Sequence, residues 1–399
     1  MNQIKLREDL DVNLIKEDES QFIYISDPLL VAEPIALPFA YYTLIQVLMD
    51  GDRTEKQLLS EGVAKTLNLS NDKLRTLLEN LRTLHILDNP VTSMALDQMN
   101  SYLTGDVRNS YCHGFSYPED PQELTSFLKV MLDKGIKKSD NKPKGILAPH
   151  IDLRLEESWE VYANSFLPLE NIEDVDTVIL LGTAHYASTA DFMFTRKDFA
   201  TPLGKLETDT ELLDKIAEKT EVHFDDIAHF KEHSLEFHAI FLQHFLKEKN
   251  IKILPILTGS PSNYVGEQSQ PNSDNNYTQT INSIKESINE LGRKTIILSS
   301  GDFSHVGRKF GDEYDAGKFI SHVKDYDKEL ANTISANDKE QFFSLINSVG
   351  DKNRICGAAP FYAAMELLGN EAQIQKTGYS HWYEQDTESL VSFAGFVAE

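Results

Sequence analysis

Three histidines in this chain each follow a short apolar run that ends in turn-forming residues. In GILAPHIDLR, Gly145 to Arg154, the run Ile146 to Ala148 is stopped by Pro149, and His150 comes next. In DTVILLGTAHYA, Asp176 to Ala187, the run is followed by Gly182 and then His185. In KTIILSSGDFSHVG, Lys294 to Gly307, it is followed by a Ser-Ser-Gly-Asp turn and then His305. Runs this short and continuous suit strands buried on both faces of an α/β sheet. Ligands of open α/β sheets gather outside the carboxyl ends of the strands. A single histidine after a strand is more often a hydrogen-bonded structural residue. Three delivered to one edge suit a shared site for metal binding or proton transfer.

Two further stretches carry reactive side chains. EHSLEFHAIFLQHF, Glu232 to Phe245, reads as an amphipathic helix. At roughly 100° per residue, His233 and Glu236 share one side, while His244 lies about 16 Å further along the axis. His238 points about 140° away from His233 and is expected in the core. The spacing H-x-x-E-x-H departs from the H-x-x-E-H of helical zinc peptidases. His233 and Glu236 are therefore candidates for supporting a neighbouring site, with a solvated polar face as the alternative. In RICGAAPFYAAMELL, Arg354 to Leu368, Cys356 precedes a long apolar helix. A helix N-terminus lowers a thiol pKa, so an accessible thiolate is expected at Cys356; burial as an inert thiol is the commoner fate of a free cysteine. Cys112, beside His113, has weaker grounds for a role.

The elements that must position these groups fall into two blocks. A chain of 399 residues exceeds the usual single domain. Residues 1–105 read as a separate unit, with short strands at Phe22–Ile25 and Leu29–Val31. Helices are expected over Pro38–Met49, from Thr54 to about Leu67, and after Ser70 as N-cap, where Leu74, Leu77, Leu78 and Leu81 share a face. Leu84, Ile86 and Leu87 would begin a small wing. From residue 106 onward, a helix from Pro121 to about Leu132 with Asp120 as N-cap leads into alternating strands and helices, the pattern of an α/β sheet. Ile251–Leu257 is a strand whose Pro255 suggests an edge or a bulge. Ser260–Tyr277 reads as a mobile surface loop, and Ser389–Val397 as a buried last strand.

Composition narrows the classes. A net charge of −25, from 38 Lys+Arg against 63 Asp+Glu, argues against binding nucleic acid or anionic membranes. Residues 1–105 hold nine basic and sixteen acidic side chains, which disfavours a DNA-binding role for that unit. Two cysteines are too few for a disulfide framework. The N-terminus lacks a signal-peptide core and no run reaches transmembrane length, so a cytoplasmic protein is expected.

The ordered blocks APH, LGTAH, TPLGKLETD, EHSLEFH, ILPILTG, SSGDFSHVG and ICGAAP resemble those of the Memo family, which includes the Memo-like proteins of the AmmeMemoRadiSam gene set. The resemblance covers about Arg108 to Glu399; CHGFSYP is similar to the family's opening stretch, with a different residue order. Memo proteins are similar in fold to class III extradiol dioxygenases, which hold non-haem iron with two histidines and a glutamate. In the Memo pattern a cysteine replaces the glutamate. The resemblance implies metal ligands His150, His185 and Cys356, with His305 at the acid/base position. Asp302 would orient it or a ligand, and His233 and Glu236 would lie beside the site. It also implies an α/β sheet flanked by helices. The N-terminal unit resembles winged-helix folds, particularly PqqD-like peptide-binding domains, through IQVLMDGDRT, Ile45 to Thr54. It would be a small α+β domain.

Two imidazoles and one anion leave open positions on a metal, as dioxygen chemistry requires. Thiolate in place of carboxylate softens the set, so iron, copper and zinc all fit, and the thiolate itself is oxidisable. The resemblance favours iron or copper and a redox reaction on a small organic or peptidyl substrate, with the N-terminal unit recruiting a peptide or partner protein. Two rivals are a non-catalytic metal- or ligand-binding adaptor and a hydrolase using a Cys-His pair or zinc-bound water.

Overall fold

In the computed structural model, which describes residues 3–17, 20–60, 63–136, 142–186, 190–260, 264–266 and 270–399, the chain divides into two compact units, Met1–Gly105 and Asp106–Glu399. In the first unit, β1 (Asp11–Glu17), β2 (Ser20–Ser26) and β3 (Ile35–Pro38) form an antiparallel sheet in that order. Helices Tyr42–Asp50, Glu55–Ser60, Val63–Thr66, Asn71–Thr83 and Pro90–Thr104 follow. Leu44, Leu48, Leu58, Leu74, Leu78 and Leu81 pack with Ile23 and Ile25 into one core. Ser70 caps helix Asn71–Thr83 through the amide of Lys73. Gly51 ends the first helix in the left-handed conformation, the usual device for stopping one.

Two expectations for this unit are corrected. Leu29–Val31 is a turn, and the third strand comes later, at Ile35–Pro38, so the first helix starts at Tyr42. Helix is described at Glu55–Ser60 and Val63–Thr66, within the span expected from Thr54 to about Leu67, with 61 and 62 outside the described residues. Leu84–Leu87 form no strand: Leu87 makes one isolated bridge to Leu6, and Asn89 caps a helix whose first residue is Pro90. Asn followed by Pro is a helix-start signal that outweighs the apolar residues before it.

The second unit is built on a mixed sheet. Its strands are β4 (Val107–Asn109), β5 (Gly145–Ala148), β6 (Thr177–Thr183), β7 (Phe192–Phe194), β8 (Asp198–Thr201), β9 (Gly204–Thr208), β10 (Lys252–Thr258), β11 (Thr295–Ser300), β12 (His305–Val306), β13 (Ile374–Glu384) and β14 (Ser389–Ala398). The central order is β14-β5-β11-β6-β10, with β5, β11, β6 and β10 mutually parallel and β14 antiparallel to β5. Alternate residues of these strands enter two cores. Ile146, Val178, Leu180, Ile253 and Leu298 face helices Pro121–Leu132, Glu156–Phe166 and His233–Leu246. Leu147, Ile179, Leu181, Leu254 and Ile297 face helices Thr210–Ala217, Asn275–Leu291, Ile320–Ser335, Lys339–Ser348 and Ala358–Leu368. Burial on both faces explains why these strands read as continuous apolar runs.

Pro255 lies in the sheet interior, which corrects the edge expectation. On one side β10 pairs with β6 throughout. On the other it pairs with β9 at Lys252–Ile253 and with β7 at Ile256–Thr258. Pro255 falls in the gap between those partners, where a missing N–H breaks no ladder bond. The loop expected over Ser260–Tyr277 ends earlier: helix Asn275–Leu291 starts within it and Tyr277 is buried. Part of that stretch, 261–263 and 267–269, is outside the described residues. Helix His233–Leu246 is buried nearly all round rather than amphipathic, because it packs across the sheet under the site.

Candidate metal centre

The parallel strands β5, β11 and β6 are neighbours, and their carboxyl ends deliver His150, Asp302 and His185 to one edge. The ring Nδ1 of His150 lies 3.1 Å from Ser300 Oγ, which gives its own proton to the Ser234 carbonyl 2.7 Å away. Ser300 can therefore only accept from the ring, so Nδ1 carries the proton and Nε2 is the bare nitrogen. That Nε2 is 3.2 Å from Cys356 Sγ and 3.8 Å from Asp302 Oδ2. Burial, and next the neighbouring histidine His233, hold the pKa of His150 well below that of free histidine.

His185 is organised by Glu232, a residue the sequence reading passed over. Glu232 is the N-cap of helix His233–Leu246, and its buried carboxylate accepts from His185 Nδ1 at 3.0 Å and from the His185 amide at 2.9 Å. It also accepts from the Ser234 amide at 2.9 Å and lies 3.3 Å from His233 Nδ1. Burial would raise its pKa, but His185 above all reverses this and brings it down to about 2. Glu232 thus stays an anion and holds the proton of neutral His185 on Nδ1, which leaves Nε2 bare in that form. Burial acts against a charge on His185, and Glu232 overcomes it, so that pKa is raised. A carboxylate oriented onto a histidine was recognisable only through its place before the His-Ser pair. Glutamate is uncommon at N-caps and gave little local signal.

His150, His185 and His233 each offer a ring nitrogen within 4.8 Å of the other two; His150, Asp302 and Cys356 satisfy the same condition. The side chains of His185 and His233 are each 31% exposed, against 2% for His150, so the cluster opens to solvent on their side. Cys356 is brought in by a close backbone approach. Gly357 donates its amide to the Asp302 carbonyl, and a Cβ on Gly301 would lie 2.2 Å from Gly357 Cα. The Asp302 amide then points at Cys356 Sγ at 3.1 Å. The expected thiolate is corrected: burial, and next the Asp302 carboxylate, push the thiol well above its ordinary pKa. Helix Ala358–Leu368 begins with Gly357 as its cap, and its dipole does not outweigh that desolvation.

Burial also pushes Asp302 up to about 7, although the His150 amide donates to it at 3.0 Å. His305 Nδ1 lies 3.0 Å from the carbonyls of Phe303 and Arg354. Both can only accept, so Nδ1 is protonated and Nε2 bare. Burial holds His305 down at about 4, which leaves it neutral at pH 7. Glu236 lies one turn beyond Glu232, but its carboxylate is engaged elsewhere. It pairs with Arg108 and Tyr117, and accepts the amides of Tyr111 and Cys112 at 2.8 Å each. His238 is in the core as expected, its Nε2 donating to the Pro149 carbonyl at 3.0 Å. Cys112 is a partly buried thiol raised to about 12 by burial and, next, by Glu236.

Such a cluster of imidazoles, thiol and carboxyl at the carboxyl edge of a parallel sheet has the donor chemistry of a transition-metal centre. A family profile described as "Memo-like protein" matches residues 108–397, nearly all of the second unit. A "MEMO1 family protein" of Aquifex aeolicus is 31% identical over 385 residues, covering 94% of this chain and 95% of its own. Another from Pyrococcus furiosus is 24% identical, covering 73% of this chain and 98% of its own. The chain belongs to the Memo family. The Aquifex likeness spans more residues than the second unit holds, so it takes in the first unit as well. A crystal structure of an uncharacterised Escherichia coli K12 protein overlaps 64% of this chain and 99% of its own at 14% identity, with a TM-score of 0.39, too low to bear on fold or function. No helix among the described residues is long and apolar enough to cross a membrane.

Proposed function

We propose that this protein is a non-haem metal-dependent redox enzyme, holding iron or copper, that acts on a small organic or peptidyl substrate. The observation that carries this reading is the convergence of His150, His185, Cys356 and Asp302 beside a solvent-facing opening. His150, His185 and Cys356 are the ligands, and zinc is a third metal the donors accept. The bound ion supplies the electron transfer and dioxygen activation that no side chain here provides. The chain's own contributions are different. Glu232 and Ser300 hold two imidazoles in the ligating tautomer. His305, neutral and with Nε2 bare, takes up or returns a proton. Asp302 aligns the His150 backbone. His233 lines the opening, and Glu236 ties down the segment Arg108–Tyr117.

The test is the metal content of wild type and His185→Ala expressed identically. One ion per wild-type chain and a large loss in the variant are expected; equal content in both overturns the reading. Oxygen uptake by the iron-loaded protein with candidate phenols, run beside an anaerobic control, separates oxidation from hydrolysis.

A second reading is a metal-binding adaptor without turnover. It is favoured by the apolar side chains that the first unit exposes, Leu14 at 55%, Val91 at 64% and Met94 at 72%. In both readings the first unit is a PqqD-like, winged-helix domain that recruits a peptide or protein. We place the protein in the cytoplasm, where two unpaired cysteines are kept reduced. Retained metal with no oxygen uptake across substrate classes selects the adaptor.

A further inference from the structure

The fully buried histidines away from the cluster spend their ε-nitrogen on the backbone. His238 Nε2 donates to the Pro149 carbonyl, and His229 Nε2 to that of Met193 at 3.1 Å. His233 is arranged the other way. Its Nδ1 lies 3.3 Å from Glu232 Oε1, the same oxygen that receives His185 Nδ1. One carboxylate oxygen therefore binds the His185 ring and faces that of His233, and the two rings stack with centroids 4.7 Å apart and planes inclined by 27°. His150 meets both edge-on, at 5.1 Å from His185 and 5.0 Å from His233. Each of the three rings offers one nitrogen within 4.8 Å of those of the other two, a spacing that could hold one ion.

We propose that His233 is a metal ligand, forming with His150 and His185 a three-imidazole face, and that Cys356 is a fourth donor which the ion can lose without leaving. This rests on the metal reading above and changes the role given there to His233. The geometry divides the donors in the same way. Cys356 and Asp302 form their own set with His150, and His185 and His233 form the other with it. Three neutral imidazoles and one thiolate make a tetrahedral set suited to a divalent first-row ion. With the sulfur removed, three nitrogens and one open position remain, which is the ligand count of catalytic three-histidine centres.

The test uses the full-length protein stripped of metal and titrated with cobalt(II) against a competing chelator. Wild type is expected to bind one cobalt with a sulfur-to-metal charge-transfer band. Cys356→Ser should lose that band and keep cobalt within about tenfold of wild-type affinity. His233→Ala should keep the band and bind about a hundredfold more weakly, the upper end of what losing a supporting contact alone costs. X-ray absorption of the wild-type cobalt protein, which needs no variant, should count three imidazoles. Two imidazoles, or a His233→Ala affinity within threefold of wild type, overturns the proposal while leaving the metal reading intact. Failure of wild type to bind cobalt, zinc, iron or copper overturns both.

Discussion

Glu232 and Glu236 are buried carboxylates one helical turn apart, and they are used in opposite ways. Glu236 faces a guanidinium, a phenol and two amides, so its lone pairs are filled by fixed donors and its charge is matched by Arg108. The contacts of the Glu232 carboxylate are imidazoles and amides rather than a guanidinium. It is kept ionised by two amides and two imidazoles, and each imidazole keeps a second nitrogen for something else. A saturated polar network holds structure. A network that ends in unspent, solvent-facing nitrogen atoms is equipped for a ligand. The difference shows why burial alone does not separate a structural acid from a functional one.

The sharpest way to break this contrast is Glu236→Ala. Leaving Arg108 buried without its partner should cost about 3–5 kcal/mol in urea unfolding, with metal content per folded chain unchanged. If metal is lost while stability holds, the roles of the two acids are reversed. The acid limb sharpens the point. Burial favours protonating Glu236, but Arg108 and the amide donors outweigh it, so its folded pKa lies below the usual glutamate value. The stability it contributes is complete above about pH 4.3 and is lost as pH falls through the lower folded value. Glu236→Gln should therefore flatten the fall in stability below about pH 4.

Glu232→Gln is the complementary change. It removes the anion that orients His185 and faces His233, and should weaken metal binding by about tenfold to a hundredfold with little loss of fold. Competitive chelation measures this, and unchanged affinity would remove Glu232 from the centre. Gly301→Ala puts a Cβ against the Gly357 backbone. A cost of about 1–3 kcal/mol is expected, together with weakening of the sulfur-to-cobalt band as Cys356 is displaced. The smallest effect is a control outside both networks. Asp120→Ala deletes the cap of helix Pro121–Leu132 and should cost about 1 kcal/mol, with metal affinity unchanged.

Much of the scaffold could be read from local pattern. The strands before His150 and His185, the last strand, the Ser70 cap and helix Pro121–Leu132 with its Asp120 cap lie where spacing and capping chemistry put them. Each depends on neighbours within one turn or one strand. The misreadings share a different cause. Pro255 suggests an edge or a bulge from sequence because its tolerance depends on which strands flank it, and those come from residues 192–208. Cys356 was expected as a thiolate because the helix start is visible locally, whereas its burial and the repelling Asp302 carboxylate, 54 residues away in the chain, come only with the fold. Glu232 drew no notice because its partner His185 is 47 residues away.

By itself the order of residues determined which groups this protein can offer a metal, namely imidazoles at strand ends, a cysteine before a helix and the blocks that mark its family. It could do so because residue type and the period of burial are local properties. Only the tertiary structure decided how those groups are paired: that Glu232 serves two histidines while Glu236 serves an arginine, and that Cys356 meets His150 across 206 residues of chain. Protonation state, tautomer and desolvation are set by whatever lies within a few ångströms, and here those neighbours come from distant segments brought together by the sheet.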